Sequence, residues 1–247
     1  MAAYHRPNDL DGALDLLAEP NRVALAGGTV LNADREPPAI EVVDLQAIGL
    51  DEISADGDRL RIGAMVTLDR LADHDATPAW LAKLATAELP STLRTAATVG
   101  GPVAAGGGES VLLAALLAAG AVLEVRTPGD EGSGPVEIDA GAAVSAGLDP
   151  ASLITSISID GASQGAVAST ARTPADVPIV AAVAARAAGG AVRLALTGVA
   201  SSPVLVEPDD PTAGLDPPGD FRGSPDFRRH LATVLAARAI AVIEERS

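Results

Sequence analysis

Ala26-Gly27-Gly28-Thr29 and Thr98-Val99-Gly100-Gly101 are the two stretches on which the reading of this chain turns. Each follows an apolar or small-residue run and opens onto another apolar segment. Glycine tolerates positive φ and lets the backbone come close to a ligand, so successive N–H groups can converge on phosphate oxygens without lysine or arginine. Two such turns side by side can cradle one diphosphate. A doublet alone is a weak signal: 25 glycines in 247 residues produce adjacent pairs by chance, and most pairs simply make tight turns.

Working outward, the first doublet ends a short buried strand at 22–26, and residues 41–45 form another strand. Before them, Asn8, with Asp9 and Asp11 after it, caps a short helix whose Leu10, Ala13, Leu14 and Leu17 follow helical spacing, and Pro20-Asn21 stops it. Residues 59–62 read as a strand ended by Gly63. Thr67 then caps a helix at 68–73, and Pro78 opens another reaching about residue 87. The second doublet lies between that helix and the next, at 110–120, which Gly120 terminates. Strands follow at 121–126 and 136–140, separated by a solvated loop at 127–135. Residues 153–159 alternate in strand fashion. Residues 179–186 and 191–199 form a hairpin around Gly189-Gly190, and 207–220 is a surface loop. Ser224 caps the last helix, with Pro225 at its first position and Phe227, Leu231, Val234, Leu235, Ala239, Val242 and Ile243 on one face.

Composition narrows the function classes. With 48% hydrophobic residues, the chain can fill the core of one large domain or two modest ones. Tyr4, Trp80, Phe221 and Phe227 are its only aromatics, so that core is aliphatic. A net charge of −16 disfavours nucleic acid and anionic membrane surfaces as partners. The chain has no cysteine, which removes disulfides, thiolate metal sites and iron–sulfur ligation and leaves any redox centre to an organic cofactor. His5, His74 and His230 are too far apart in sequence to form a metal-binding motif, so no metal is expected, and His230 in Arg228-Arg229-His230 reads as part of a solvated basic face. Gly-x-Ser-x-Gly, the lysine-bearing phosphate loop and the Rossmann Gly-x-Gly-x-x-Gly order are all missing. The start has no apolar signal region, and 111–123 is too short to span a bilayer, so the expected compartment is the cytoplasm.

Taken in order, the pieces resemble the FAD-binding medium subunit of the molybdenum hydroxylases, the family of xanthine dehydrogenase and aerobic carbon monoxide dehydrogenase. Tyr4-His5-Arg6-Pro7 with Ala13-Leu14-Asp15-Leu16-Leu17 is similar to the family's opening, and Leu25-Ala26-Gly27-Gly28-Thr29 to its first diphosphate loop. Ile62-Gly63-Ala64-x-Val66-Thr67-Leu68 resembles a family strand and turn. Leu93-Arg94-Thr95-Ala96-Ala97-Thr98-Val99-Gly100-Gly101 resembles the second loop, usually Arg-Asn-x-Ala-Thr-hydrophobic-Gly-Gly-Asn. Arg172 with Asp176, the run from Leu194 to Val204, and Phe221-Arg222-Gly223-Ser224 with Phe227-Arg228-Arg229 resemble its C-terminal domain.

The resemblance implies an α+β fold: a two-subdomain FAD-binding unit of the vanillyl-alcohol-oxidase type over 1–157, split near 50–58, and a smaller C-terminal domain of antiparallel sheet and helices over 158–247. It implies an oxidoreductase component that binds FAD and contributes no catalytic residue of its own. Electrons would arrive from an iron–sulfur small subunit, draining a molybdopterin-binding large subunit, and leave to an external acceptor. The implied cofactor-binding residues are Gly27, Gly28, Thr29 and Val30 on one loop and Ala97, Thr98, Gly100 and Gly101 on the other, with Ile154 packing on the flavin ring.

Three departures stand against this pattern. Pro102 replaces the usual asparagine, Val111 falls in the register of an aspartate that holds the cofactor's polar chain, and Gly106-Gly107-Gly108 replaces a polar turn. Two lost polar contacts of about 1 kcal/mol each would weaken FAD by one to two orders of magnitude. The alternative is therefore a cofactor-free interaction subunit that keeps the fold. A self-contained flavin oxidase is disfavoured, because no histidine or aromatic constellation is placed for substrate oxidation.

Overall fold

The computed structural model describes residues 3–33, 40–129, 134–173 and 176–245. Strand β1 (Ala3–His5) leads into helix α1 (Leu10–Leu17), followed by β2 (Arg22–Leu25) and β3 (Glu41–Asp44). The three strands make a parallel sheet in the order β1-β3-β2, and α1 turns Ala13, Leu14 and Leu17 inward. Asp9, rather than Asn8, is the helix cap: it is the residue held extended just before the first helical turn, and its carboxylate accepts the Gly12 N–H at 2.8 Å. The central strand's Glu41 takes Arg22 Nε at 3.0 Å and lies 2.9 Å from His5 Nε2, so both flanking strands are tied to it; these partners hold Glu41 below the usual carboxylate range.

The middle of the chain builds a five-stranded antiparallel sheet. Its elements are β4 (Ile53–Asp56), β5 (Arg59–Gly63), helices α2 (Leu68–Asp73), α3 (Ala79–Glu88), α4 (Ser91–Arg94), α5 (Gly100–Ala105) and α6 (Val111–Ala118), then β6 (Val122–Arg126), β7 (Val136–Asp139), α7 (Ala140–Ala146) and β8 (Leu153–Asp160). The strand order is β4-β5-β8-β6-β7. Of the expected 127–135 loop, residues 130–133 lie outside the described ones. Helix α6 is apolar on every side, which suits only a helix enclosed all round. Every residue from Leu112 to Ala118 is buried, against α3 and the sheet of the last third.

That last sheet comprises β9 (Gln164–Thr170), β10 (Val180–Arg186), β11 (Val192–Thr197) and β12 (Val204–Val206), in the order β12-β11-β10-β9, and the long α8 (Pro225–Glu244) closes the fold. The expected hairpin is present, with Val183 opposite Ala195. Strand β10 has no polar alternation because both its faces are covered. Val180, Ala182 and Ala184 meet α8, whereas Val183 and Ala185 join the core around α6.

Helix α8 sits rotated from the expected face. Its buried positions are Arg228, Ala232, Leu235, Ala236, Ala239 and Ile243, while Phe227 and Val242 stand out at 42% and 37% exposure. An alanine stripe lets the helix approach an alanine-rich sheet more closely than the bulkier side chains would. Arg228, expected in a solvated basic face, is 1% exposed. Its Nη1 donates to Ile179 O at 2.9 Å and Gly198 O at 2.7 Å, and its Nη2 lies 2.8 Å from Asp220.

Trp80, on α3, lies flat on Gly165 of β9, where a Cβ would fall 2.7 Å from ring atom Cε2. Its indole N–H donates to Ser163 O at 3.0 Å, so a single side chain spans the seam between the middle sheet's helices and the last sheet.

Candidate functional site

The first glycine turn leaves the end of β2 and abuts the second loop. A Cβ on Gly27 would overlap the Ala96 carbonyl oxygen and come within 2.7 Å of its carbon and 3.0 Å of Ala97 Cα, so the two loops touch backbone to backbone. Gly28 follows at φ +69°, a conformation that favours glycine. The chain then winds through two turns, Asn32 N–H to Gly28 O at 3.0 Å and Ala33 N–H to Val30 O at 3.1 Å. Among the described residues, no acceptor takes the backbone N–H of Gly27, Gly28, Thr29 or Val30. Val30 is 65% exposed.

The second loop is anchored from below. Ala97 O accepts the Leu68 N–H at 2.9 Å, and Val99 N–H donates to Val66 O at 2.9 Å, which sets Thr98 opposite Thr67. Gly100 N–H bonds Ala64 O at 2.9 Å, and a Cβ there would come within 2.9 Å of Ala64. The doublet does not merely connect two helices, as its sequence position suggests: Gly100 and Gly101 are the first turn of α5. Pro102 sits in that same first turn, where a helix leaves N–H groups without internal partners and proline costs little. Thr98 is 4% exposed, yet its hydroxyl has no partner among the described residues.

The buried Thr98 hydroxyl on one loop and four backbone N–H groups on the loop packed against it, all without partners among the described residues, fit an anionic acceptor such as the diphosphate of FAD. The two loops are thus brought together by the fold. Ile154, on β8, is 8% exposed and packs in the core cluster that also holds Ala97 and Val99.

Around α6 the structure supplies a carboxylate that the sequence pattern did not single out. Val111 is the first residue of the helix, and Ser110 caps it, accepting the Leu113 N–H at 3.0 Å. Glu88, at the end of α3, reaches the same helix end: it accepts the Ser110 hydroxyl at 2.5 Å and the Leu112 N–H at 2.9 Å. Burial raises the Glu88 carboxyl above its ordinary value of 4.5 and outweighs these hydrogen bonds. The stability the group contributes is therefore full below that ordinary value and is lost as the pH rises through the higher folded one. Glu88→Gln removes this titration, so its melting temperature should gain on wild type between about pH 4 and about pH 7; thermal scans at both ends check the sign.

The triple glycine has a packing role. Gly106 closes α5 at φ +61°, Ser202 donates to its carbonyl at 2.8 Å, and a Cβ on Gly108 would come within 2.8 Å of the Ser201 carbonyl carbon. Gly198 N–H reaches Gly108 O at 3.3 Å, and Arg222 pairs with Glu109. The loop after the second glycine turn thereby packs against the segment that follows β11. Among the described residues, no helix is long and apolar enough to cross a membrane.

A parallel three-stranded sheet and an antiparallel five-stranded sheet meeting at two glycine turns, followed by a sheet-and-helix unit, define a two-part flavin-binding fold of the vanillyl-alcohol-oxidase type with a smaller α+β appendage. Residues 1–159 match the model of the FAD binding domain in molybdopterin dehydrogenase, and the chain belongs to that family of oxidoreductase flavoproteins. It is 30% identical over 256 residues to the uncharacterized protein YgfM of Escherichia coli K12, covering 95% of this chain and 93% of the relative. Among solved structures, it superposes on a chain of reconstituted CO dehydrogenase from Oligotropha carboxidovorans with TM-score 0.87 at 24% identity, covering 100% of this chain and 99% of the other. A chain of quinoline 2-oxidoreductase from Pseudomonas putida 86 superposes with TM-score 0.82 at 23% identity, over 98% of this chain and 96% of that one. A chain of the Cu,Mo-CO dehydrogenase in its cyanide-inactivated form gives 0.85 at 25% identity, covering 99% and 98% respectively.

Proposed function

We propose that this chain is the electron-transfer flavoprotein subunit of a molybdopterin-dependent dehydrogenase complex. In this reading it takes electrons from the clusters of an iron–sulfur small subunit, fed by a molybdopterin-binding large subunit, and delivers them to an external acceptor in the cytoplasm. The observation that carries it is the cradle: two loops in backbone contact at Gly27 and Ala96, with N–H groups on one and the Thr98 hydroxyl on the other that have no partner among the described residues. FAD, when bound, supplies the redox chemistry, accepting and releasing electrons. Gly27, Gly28, Thr29 and Val30 present N–H donors to the diphosphate. Ala97, Thr98, Gly100 and Gly101 form the opposing wall, with the Thr98 hydroxyl as its donor, and Ile154 backs the flavin side. Residues 1–157, with a seam near 50–58, make the FAD-binding unit, and 158–247 form the C-terminal domain.

The lack of cysteine agrees with clusters held on another subunit. The cofactor-free alternative finds no support in the cradle, since Pro102 occupies a helix position that leaves the loop intact. An absorption spectrum of the purified full chain, after incubation with excess FAD and desalting, tests the reading. Retained flavin bands are expected; a folded, colourless protein would remove direct FAD binding by this chain.

A further inference from the structure

Asn32 lies one turn beyond the first glycine doublet, and its side chain folds back over it. The Nδ2 atom stands 2.8 Å from the point that a Cβ on Gly28 would occupy, and Cγ stands 3.8 Å from it. The fold-back is built by the backbone: Asn32 N–H bonds Gly28 O at 3.0 Å, and Gly28 at φ +69° turns the chain. Asn32 is exposed, and its amide makes no hydrogen bond to another described residue. A primary amide has two N–H donors. Here the amide nitrogen sits over Gly28, within a run of N–H groups that also have no acceptor among the described residues. The facing loop carries Pro102 in the first turn of α5, which offers neither a side-chain amide nor a backbone donor.

We infer that the Asn32 amide is a cofactor-positioning group, donating to a diphosphate oxygen of FAD above Gly28 and so supplying from the first loop the amide that Pro102 does not supply from the second. This rests on the FAD reading above. A neutral donor to an ionised oxygen is worth more than a neutral pair, and its loss corresponds to roughly a tenfold change in affinity. A carboxylate at the same place would face the diphosphate and repel it.

The experiment is a titration of the full-length chain with FAD, followed by flavin fluorescence, for wild type, Asn32→Ala and Asn32→Asp, with melting curves of the unliganded proteins as the folding check. The inference expects Asn32→Ala to raise Kd about tenfold and Asn32→Asp to raise it further, with the gap between the two variants narrowing in high salt. Asn32→Ala within twofold of wild type overturns the inference and leaves the cradle reading standing. Asn32→Asp binding as tightly as Asn32→Ala overturns it likewise. A wild-type chain that takes up no FAD overturns both.

Discussion

Replacing Gly27 with valine is expected to abolish tight FAD binding and to lower the stability of the empty protein as well. The reason is steric and local. Any Cβ at this position overlaps the Ala96 carbonyl and presses on Ala97, so the two loops must part before the side chain can be accommodated. The second loop cannot yield without breaking bonds, because Ala97 and Val99 are tied to Leu68 and Val66. Overpacking of this kind costs about 1–3 kcal/mol of stability. Losing two N–H contacts to a charged oxygen at about 1.5 kcal/mol each amounts to about 100-fold in FAD affinity. Gly101, where a Cβ would find only Thr98 Oγ1 at 3.5 Å, provides the contrast: Gly101→Ala should fold like wild type. Calorimetric melting of the empty proteins and a flavin titration of Gly27→Val check the claim, which fails if Gly27→Val binds FAD within threefold of wild type.

Arg228→Ala is expected to be the most destabilising single change in the last third of the chain. The guanidinium is enclosed by α8 and the last sheet, where it satisfies the carbonyls of Ile179 and Gly198 and holds Asp220. Truncation leaves the buried carbonyls of Ile179 and Gly198 without this donor, a loss of about 2–4 kcal/mol. For a chain of this length that lowers Tm by on the order of 10 °C. Arg228→Lys keeps the charge but cannot reach three acceptors at once and should fall between wild type and alanine. Arg228 also holds the Asp220 carboxyl below its usual range, so this anchor is present above the ordinary carboxylate pKa and is lost only as the pH falls through the depressed value. A wild-type melting temperature for Arg228→Ala would show that the guanidinium carries no weight in the fold.

The elements that announce themselves in the sequence are those with a local cause. Thr67 and Ser224 cap helices as their spacing suggests, and Gly120 stops α6 with φ +68°. The hairpin of β10 and β11 is recognisable around Gly189-Gly190 despite alanines that favour helix, because the pairing of two buried apolar runs outweighs propensity. Two of the strands missing from the reading have a non-local cause. Strand β9, with glycine, alanine and serine throughout, carries no pattern of its own and exists because β10 and Trp80 cover it. Strand β12 is three residues long and is held at the edge by β11. The same division applies to the site. The glycine doublets are visible as letters; that Gly27 touches Ala96, and that Glu88 reaches the start of α6, depends on contacts between distant segments. Arg228 reads as a surface residue in a basic triplet, and only the seating of α8 turns it inward.

Trp80 is the chain's only tryptophan, and it lies where α3 meets β9, with its ring face on Gly165 and its nitrogen tied to Ser163. All indole emission of the protein thus originates at one point on the joint between its earlier and later halves. The wavelength of that emission follows the polarity around a single ring, so separation of the halves and melting of either one register as a red shift without any label. Because flavins absorb in the region where indoles emit, the same ring is a built-in donor for energy transfer, and filling the cradle would dim it. Assembly, opening and cofactor loading of this protein can therefore be followed through one intrinsic chromophore.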